Sequence, residues 1–312
     1  MSVGTGGNMS NFPGGFGGGI AIRGVPILNT HPGNVFWVDS GGPSNSRGTF
    51  KQPFTTIGAA LDRCTASNGD IIFVKPGHAE TITAAGGVAL DVAGVAVVGL
   101  GKGSIRPTLT YTTAAAASLT VTAADVSLSN FRLVANFADI TRLINVTATD
   151  FHADGIEVTA AAVDMNWVDV IDASGADNTA DGLTVTNCRA FGLDASNDSF
   201  IEITGDIDRL TVEDNLVVHD HASATAFIEQ ATGKDMINVS IQRNSYHSLK
   251  TSGDILIDND TTANSGVAAY NTMSHADTAA EVALDVDGVA MFENYASGVI
   301  TGSGYLLPAA DS

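Results

Sequence analysis

Leu183-Thr184-Val185-Thr186-Asn187 and Leu210-Thr211-Val212-Glu213-Asp214-Asn215 begin a series. It continues with Val239-Ser240-Ile241-Gln242-Arg243-Asn244, Val267-Ala268-Ala269-Tyr270-Asn271 and Val289-Ala290-Met291-Phe292-Glu293-Asn294. Each copy is a short run with apolar residues at alternate positions, ending on Asn. Asn187, Asn215, Asn244 and Asn271 recur at almost even intervals, and the last step, to Asn294, is slightly shorter. An earlier copy, Val126-Ser127-Leu128-Ser129-Asn130, lies two such intervals before Asn187. Asp154, in His152-Ala153-Asp154-Gly155, fills the place between them. A fixed period of this length marks a solenoid, and alternation without a helical period makes its elements strands. A coil of this length suits three faces with one or two variable loops. The Asn falls where the chain bends between strands. It tolerates a left-handed backbone there, and its amide can bond the Asn above and below. The expected structural ladder is Asn130, Asp154, Asn187, Asn215, Asn244, Asn271 and Asn294.

Upstream of the repeats, Val35–Val38 reads as a strand and 39–48 as a loop. Pro53 opens a short helix with Ile57, Ala60, Leu61 and Cys64 on one face. Asn68-Gly69-Asp70 is a turn, and Ile71–Val74 is a second strand closed by Pro76-Gly77. The run through Val38-Asp39, Gly48-Thr49, Pro53-Phe54-Thr55-Thr56-Ile57, Ala60, Gly69-Asp70-Ile71-Ile72 and Val74-Lys75-Pro76-Gly77 resembles the opening of pectate-lyase-like right-handed parallel β-helix proteins. The match spans about forty residues. That opening is shared by secreted enzymes and by virion proteins of tailed phages, so it speaks to fold more than to function. The resemblance implies an all-β, single-stranded right-handed parallel β-helix of roughly eight coils. Its amphipathic helix would cover an open end of unpaired strand groups. The expected organisation is an extended Gly-rich arm over 1–34, an N-terminal cap over 35–87, the β-helix over 88–300 and a tail over 301–312.

Nine glycines fall between Met1 and Gly24, so this stretch cannot build a core of its own. Yet Phe12, Phe16, Ile20, Ile22, Val25, Ile27 and Leu28 are spread through it and just beyond, with Arg23 among them. An extended arm that orders on a partner surface accounts for such anchors.

The chain has 312 residues, 34 acidic against 14 basic, and a net charge of −20. Nucleic acid and anionic membrane are excluded as expected partners, since both call for a basic surface. No apolar run is long enough to span a bilayer. Residues 1–24 lack a basic start and an apolar stretch of signal-peptide length, so synthesis in a host cytoplasm is expected. Cys64 and Cys188 read as two reduced thiols, with no metal spacing.

The chemistry expected of a glycan-cleaving β-helix was sought by motif. Paired Asp-Asp, Asn-Thr-Asp, Gly-His-Gly and Arg-x-Lys patterns are absent; Asn178-Thr179 leads to Ala180. Arg106-Pro107 hints at a lyase base but has no second Arg nearby in sequence. Acids such as Asp125, Asp164, Asp169, Asp172, Asp194 and Asp206 read as singly spread solvated groups. His219, His247 and His275 follow successive ladder Asn residues and are expected in one broad column, without a joint role. Gly99-Leu100-Gly101-Lys102-Gly103 reads as a turn. The sequence therefore predicts no enzyme, no cofactor and no metal site.

What remains is a structural reading carried by the resemblance. The chain is expected to be a structural virion protein of a tailed phage, a capsid decoration or cement protein held to the major capsid protein or another virion protein by its arm. A homotrimer is expected, as phage β-helices of this kind pack about a threefold axis. The alternatives are a short tailspike or tail fibre, and a polysaccharide lyase or depolymerase.

Overall fold

The computed structural model describes residues 20–22, 25–27, 33–173, 175–221, 226–249, 255–259, 263–275, 285–286, 288–298 and 304–305. They form a parallel β-solenoid with almost no helix, as the sequence suggests. Three sheets run along it. Sheet one has ten strands, from Val35–Val38 and Ile71–Val74 through Thr184–Thr186 and Thr211–Glu213 to Val289–Phe292. Sheet two also has ten, from Ala79–Ile82 through Arg189–Asn197 and Leu216–His221 to Gly304–Tyr305. Sheet three has eight, from Val88–Leu90 through Ile140–Val146, Trp167–Ala173, Ile201–Ile203 and Ala226–Gln230 to Asp285–Val286. The chain visits one strand of each sheet per coil.

Parallel pairing in register turns sequence alternation into columns. In sheet one Ile72, Val97, Leu128, Ala153, Val185, Val212, Ile241 and Ala268 are paired coil to coil, and all are fully buried. Sheet two supplies Leu109, Leu133, Val158, Ala190, Val217 and Tyr246. Sheet three supplies Leu119, Ile144, Ile171, Ile201 and Ile228. Each buried side chain of this size is worth roughly 1.5–3 kcal/mol in transfer from water, so the axial core dominates the favourable side of folding. Phe200 and Phe227 stack in parallel on successive coils, 5.2 Å between centroids.

The segment expected as a separate cap is mostly solenoid. Its strands Val35–Val38, Ile71–Val74 and Ala79–Ile82 are the first rungs of sheets one and two. Only the helix Ile57–Leu61 caps, burying Ile57, Ala60 and Leu61. Thr56 Oγ1 accepts from Ala59 N–H at 3.2 Å, and Glu80 Oε2 accepts from Ile57 N–H at 3.0 Å. The Gly69-Asp70 pair has a structural reason. Asp70 is fully buried and accepts from Asn34 N–H, Asn34 Nδ2, Asn68 Nδ2 and Thr65 N–H at 2.6–3.2 Å. It ties the first strand to the helix exit. Burial alone would raise this carboxyl, but the hydrogen bonds from Thr65, Asn34 and Asn68 win and hold it low.

In place of a wholly extended arm, Ile20–Ile22 and Val25–Ile27 pair as antiparallel strands. Phe12, Phe16, Arg23 and Leu28 lie outside the described residues. In the expected tail, Gly304–Tyr305 pairs antiparallel with Tyr295 and Ala296, closing sheet two with a strand of opposite sense.

Candidate functional site

Two polar columns run along the solenoid. The first lies at the bend between sheets one and two. Asn215 Nδ2 donates to Asn244 Oδ1 at 2.9 Å, Asn244 Nδ2 to Asn271 Oδ1 at 3.0 Å, and Asn271 Nδ2 to Asn294 Oδ1 at 2.9 Å. The backbone N–H of each of these three donors also reaches the same oxygen. Each Nδ2, that of Asn294 included, also reaches a carbonyl of the neighbouring strand: Val185, Val212, Ile241 and Ala268. All four side chains are buried.

Asn187 does not belong to that row. Cys188 holds the ladder position in its coil, its N–H donating to Asn215 Oδ1 at 2.9 Å, and the row continues upstream through Ile156 and Phe131. Asn130 and Asn187 stand one residue earlier, in a column of left-handed residues. That column contains Asn130, Gly155, Asn187, Asp214, Arg243, Tyr270 and Glu293, with φ between 52° and 63°. Asn187 is exposed, its Nδ2 donating to Asp154 Oδ1 at 2.8 Å. Asp154 itself is a sheet-one strand residue opposite Ser129 and Thr186. The motif read from the sequence merged two adjacent columns, because the bend residue before the ladder is in places Asn as well.

The second column was not anticipated. On sheet three, Asn145, Asp172, Glu202 and Glu229 are paired residue to residue across successive strands. The backbone register carries on to Asp258 and Asp285. Neighbouring parallel strands lie about 4.8 Å apart, so the carboxyl groups of Asp172, Glu202 and Glu229 stand side by side. Arg142 Nη1 pairs with Asp172 Oδ2 at 2.5 Å. Asp169, on the same strand as Asp172, is buried and accepts from Ser199 Oγ at 2.8 Å.

Crowding shows in the proton affinities. Burial, then the charges of Glu229, Asp169, Asp172 and Asp198, push Glu202 up to about 8. Burial lifts Asp169 to about 7 against the Ser199 hydrogen bond, with Asp198 and Asp172 adding to the rise. Burial also raises Asp172, opposed by Arg142. Burial and crowding therefore favour the protonated form of Glu202 and Asp169, the form that can give a proton. Among the described residues no group of three or more His, Cys, Asp or Glu is arranged to hold a metal ion.

The acids expected to be scattered are thus gathered by register. A signal was present: Asp172, Glu202, Glu229, Asp258 and Asp285 recur with the ladder's own period. The histidines, in contrast, divide. His219 is buried and opposite Ser248, which is opposite His275; His247 belongs to the adjoining row, its Nδ1 bonded to Ser274 Oγ. Arg106 does have a second arginine near it in space: Arg106 and Arg132 share Glu157, at 3.2 and 2.8 Å. Cys188 is buried and Cys64 half-buried; burial pushes both thiols up to about 12.

No family model matches this chain, and no curated protein does. Solved structures do. A rhamnogalacturonan lyase superposes with a TM-score of 0.53 at 11% identity, covering 89% of this chain and 84% of that one. The pectate lyase Pel9A gives 0.35 at 11% identity over 84% and 79%. An endo-xylogalacturonan hydrolase from Aspergillus tubingensis gives 0.35 at 11% identity over 89% and 100%. The first of these supports a pectate-lyase-like parallel β-helix fold. The expectation of no enzymatic role is corrected: the fold is one that a rhamnogalacturonan lyase also uses, so it does not set enzymes aside. A search for contiguous motifs does not see the carboxyl column, because its acids are assembled from different coils.

Proposed function

We propose that this chain is a glycan-cleaving β-helix whose working surface is the carboxyl column of sheet three. The observation that supports it is the registered run Asp172, Glu202, Glu229 on one outer face, flanked by Arg142, Asp169 and Ser199. Glycoside cleavage needs one carboxyl that delivers a proton to the leaving oxygen and one carboxylate that activates the attacking group. Glu202, crowded from both sides, is the donor. Glu229, half-buried and reachable by water, is the base. Asp172, held by Arg142, borders the reacting ring on the side away from Glu229. Reducing-end release from a panel of polysaccharides tests this. Cleavage that disappears in Glu202→Gln with the fold intact supports it. Cleavage equal in that variant sinks it.

A second reading is favoured by a separate observation. Tyr270, Phe292 and Tyr295, 50%, 50% and 41% exposed, occur on the last two described coils at one bend. With the apolar positions of residues 1–34 they support attachment to a particle, as a homotrimeric tailed-phage virion protein of decoration or tailspike type. Removing residues 2–30 should leave a folded β-helix that no longer binds particles. Full-affinity binding by the truncated chain would end this reading.

A further inference from the structure

The outer face of sheet one begins apolar and then turns polar. Its first three rungs pair Val35, Ile71 and Ala96 in one column and Trp37, Phe73 and Val98 in another. The next rungs of the same columns carry Ser127 and Ser129, then His152 and Asp154. Val35 is 43% and Phe50 60% exposed, while Trp37, Ile71 and Phe73 are half-buried. The rings hold one another in place. Trp37 meets Phe50 edge-on at 4.9 Å and lies 5.2 Å from Phe73, and Lys75 Nζ sits 4.5 Å from the Phe50 centroid. A contiguous apolar area with a polar border marks an interaction surface.

The chain carries an element that matches it. In the ribbon of Ile20–Ile22 and Val25–Ile27, Ile20 is opposite Ile27 and Ile22 is opposite Val25. Alternate positions of a strand share a face, so these four aliphatic positions fall on one side of the ribbon. Two strands alone are marginally stable in water and need an apolar surface to rest on. Three strands side by side span about 10 Å, and a three-residue strand is about as long. Residues 28–34 connect the ribbon to Val35, and seven residues reach at most about 25 Å. The end of that connection is fixed: a Cβ on Gly33 would meet Gly69 O at 2.2 Å, and Asn34 N–H donates to Asp70 Oδ1 at 2.6 Å. Charge complements shape. Residues 1–32 hold no Asp or Glu, and Arg23 stands between the two strands, so the acidic remainder attracts this segment.

We propose, independently of the glycan-cleaving reading, that the ribbon of residues 20–27 docks by its aliphatic face on the patch of Val35, Trp37, Phe50, Ile71 and Phe73 in its own chain. The short connection sets an effective concentration on the order of millimolar, above that of a second copy in dilute solution. The net charge of −20 on every copy also opposes their approach.

Acrylamide quenching of tryptophan fluorescence in the full chain tests this. Trp37 and Trp167 are the two tryptophans, and Trp167 is fully buried, so the quencher reads Trp37. The altered chains are the double variant Ile22→Asp with Ile27→Asp, and a chain lacking residues 2–27; circular dichroism melts confirm that the solenoid is kept. Both should show a higher quenching constant and red-shifted emission, and the shielding in the intact chain should persist on dilution to about a hundredth of the millimolar range. A folded chain of either altered kind that is quenched no more than the intact one overturns the proposal. Shielding that disappears on dilution also overturns it, and gives the patch to the ribbon of a second copy.

Discussion

Asn215, Asn244, Asn271 and Asn294 stack at the bend between sheets one and two; Asp172, Glu202 and Glu229 stack on sheet three, also one per coil. The spacing is the same and the consequence is opposite. An amide is both donor and acceptor, so repetition satisfies it: every rung completes its neighbours. An ionised carboxylate is an acceptor alone, so repetition burdens it until some members keep their protons. Parallel register amplifies whatever a side chain does with its own copy. At the bend that yields stability. On sheet three it yields raised proton affinity at some expense of stability.

The largest test of the contrast is functional. Glu202→Gln keeps the shape of the column but removes its proton donor, so turnover should fall about 10²–10⁴-fold while the melt is unchanged or improved. The wild-type rate should decline on the alkaline side as Glu202 ionises near pH 8. A rate that stays flat far above that pH would remove Glu202 from that role.

Next in size is the amide column. Asn244→Ala strips the acceptor from Asn215 N–H and Nδ2, the side-chain donor from Val212 O, and one of the two donors from Asn271 Oδ1. A buried loss of that kind costs about 3 kcal/mol. A reversible denaturant titration showing a loss under about 0.5 kcal/mol, below the net worth of one hydrogen bond, would make the ladder decorative.

The pH dependence of stability separates the columns further. Glu202, Asp169 and Asp172 have folded pKa values above their unfolded ones. The favourable contribution of Asp169 and Glu202 is complete below about pH 4 and is lost as pH rises through about 7 and about 8; that of Asp172 is lost in the same sense. Asp70 runs the other way: it stabilises above about pH 4, and that support is lost as pH falls through its depressed value. Stability should therefore peak in mildly acid solution. Glu202→Gln should raise stability at pH 9 relative to pH 5 by on the order of 1 kcal/mol, after discounting for solvent screening. Equal effects at both values would mean that the carboxyls do not feel one another.

The smallest effect expected is at the join between amide and apolar rungs. Cys188→Asn would lengthen the ladder upstream, its oxygen facing Ile156 N–H and its amide facing Asn215. Stability should stay within about 0.5 kcal/mol of the parent, with burial of a polar group offset by new bonds. A larger loss would show that packing against Ile156 and Ala153, not hydrogen bonding, fixes where the amides begin.

Periodicity carried the fold far. The alternation in Leu210–Asn215 and Val239–Asn244 and the Gly69-Asp70 turn were enough for a capped solenoid, because in-register stacking makes each coil's pattern a local copy of the next. Single-residue register was harder to read. Asn187 shares its residue type with the ladder but not its row, and only the backbone bend tells them apart. The site was hardest of all. Asp172, Glu202 and Glu229 are separated by loops of unequal length, so they look like isolated surface acids until the sheets are paired. Their period was in the sequence, but a search for contiguous motifs cannot see it.

The amide row also has a direction. Every Asn oxygen points to the preceding coil, and the Nδ2 groups of Asn215, Asn244 and Asn271 each meet the following oxygen. Turning one amide over would set oxygen against oxygen on one side and hydrogen against hydrogen on the other. No rung can reverse alone, so the row has only two consistent arrangements. The backbone N–H groups of Cys188, Asn215, Asn244 and Asn271 choose between them at every rung, since a donor can face only an oxygen. Aligned in this way, the dipoles polarise one another. The bend thus works like a sentence read one way: the backbone hydrogen of each coil sets the grammar of the next.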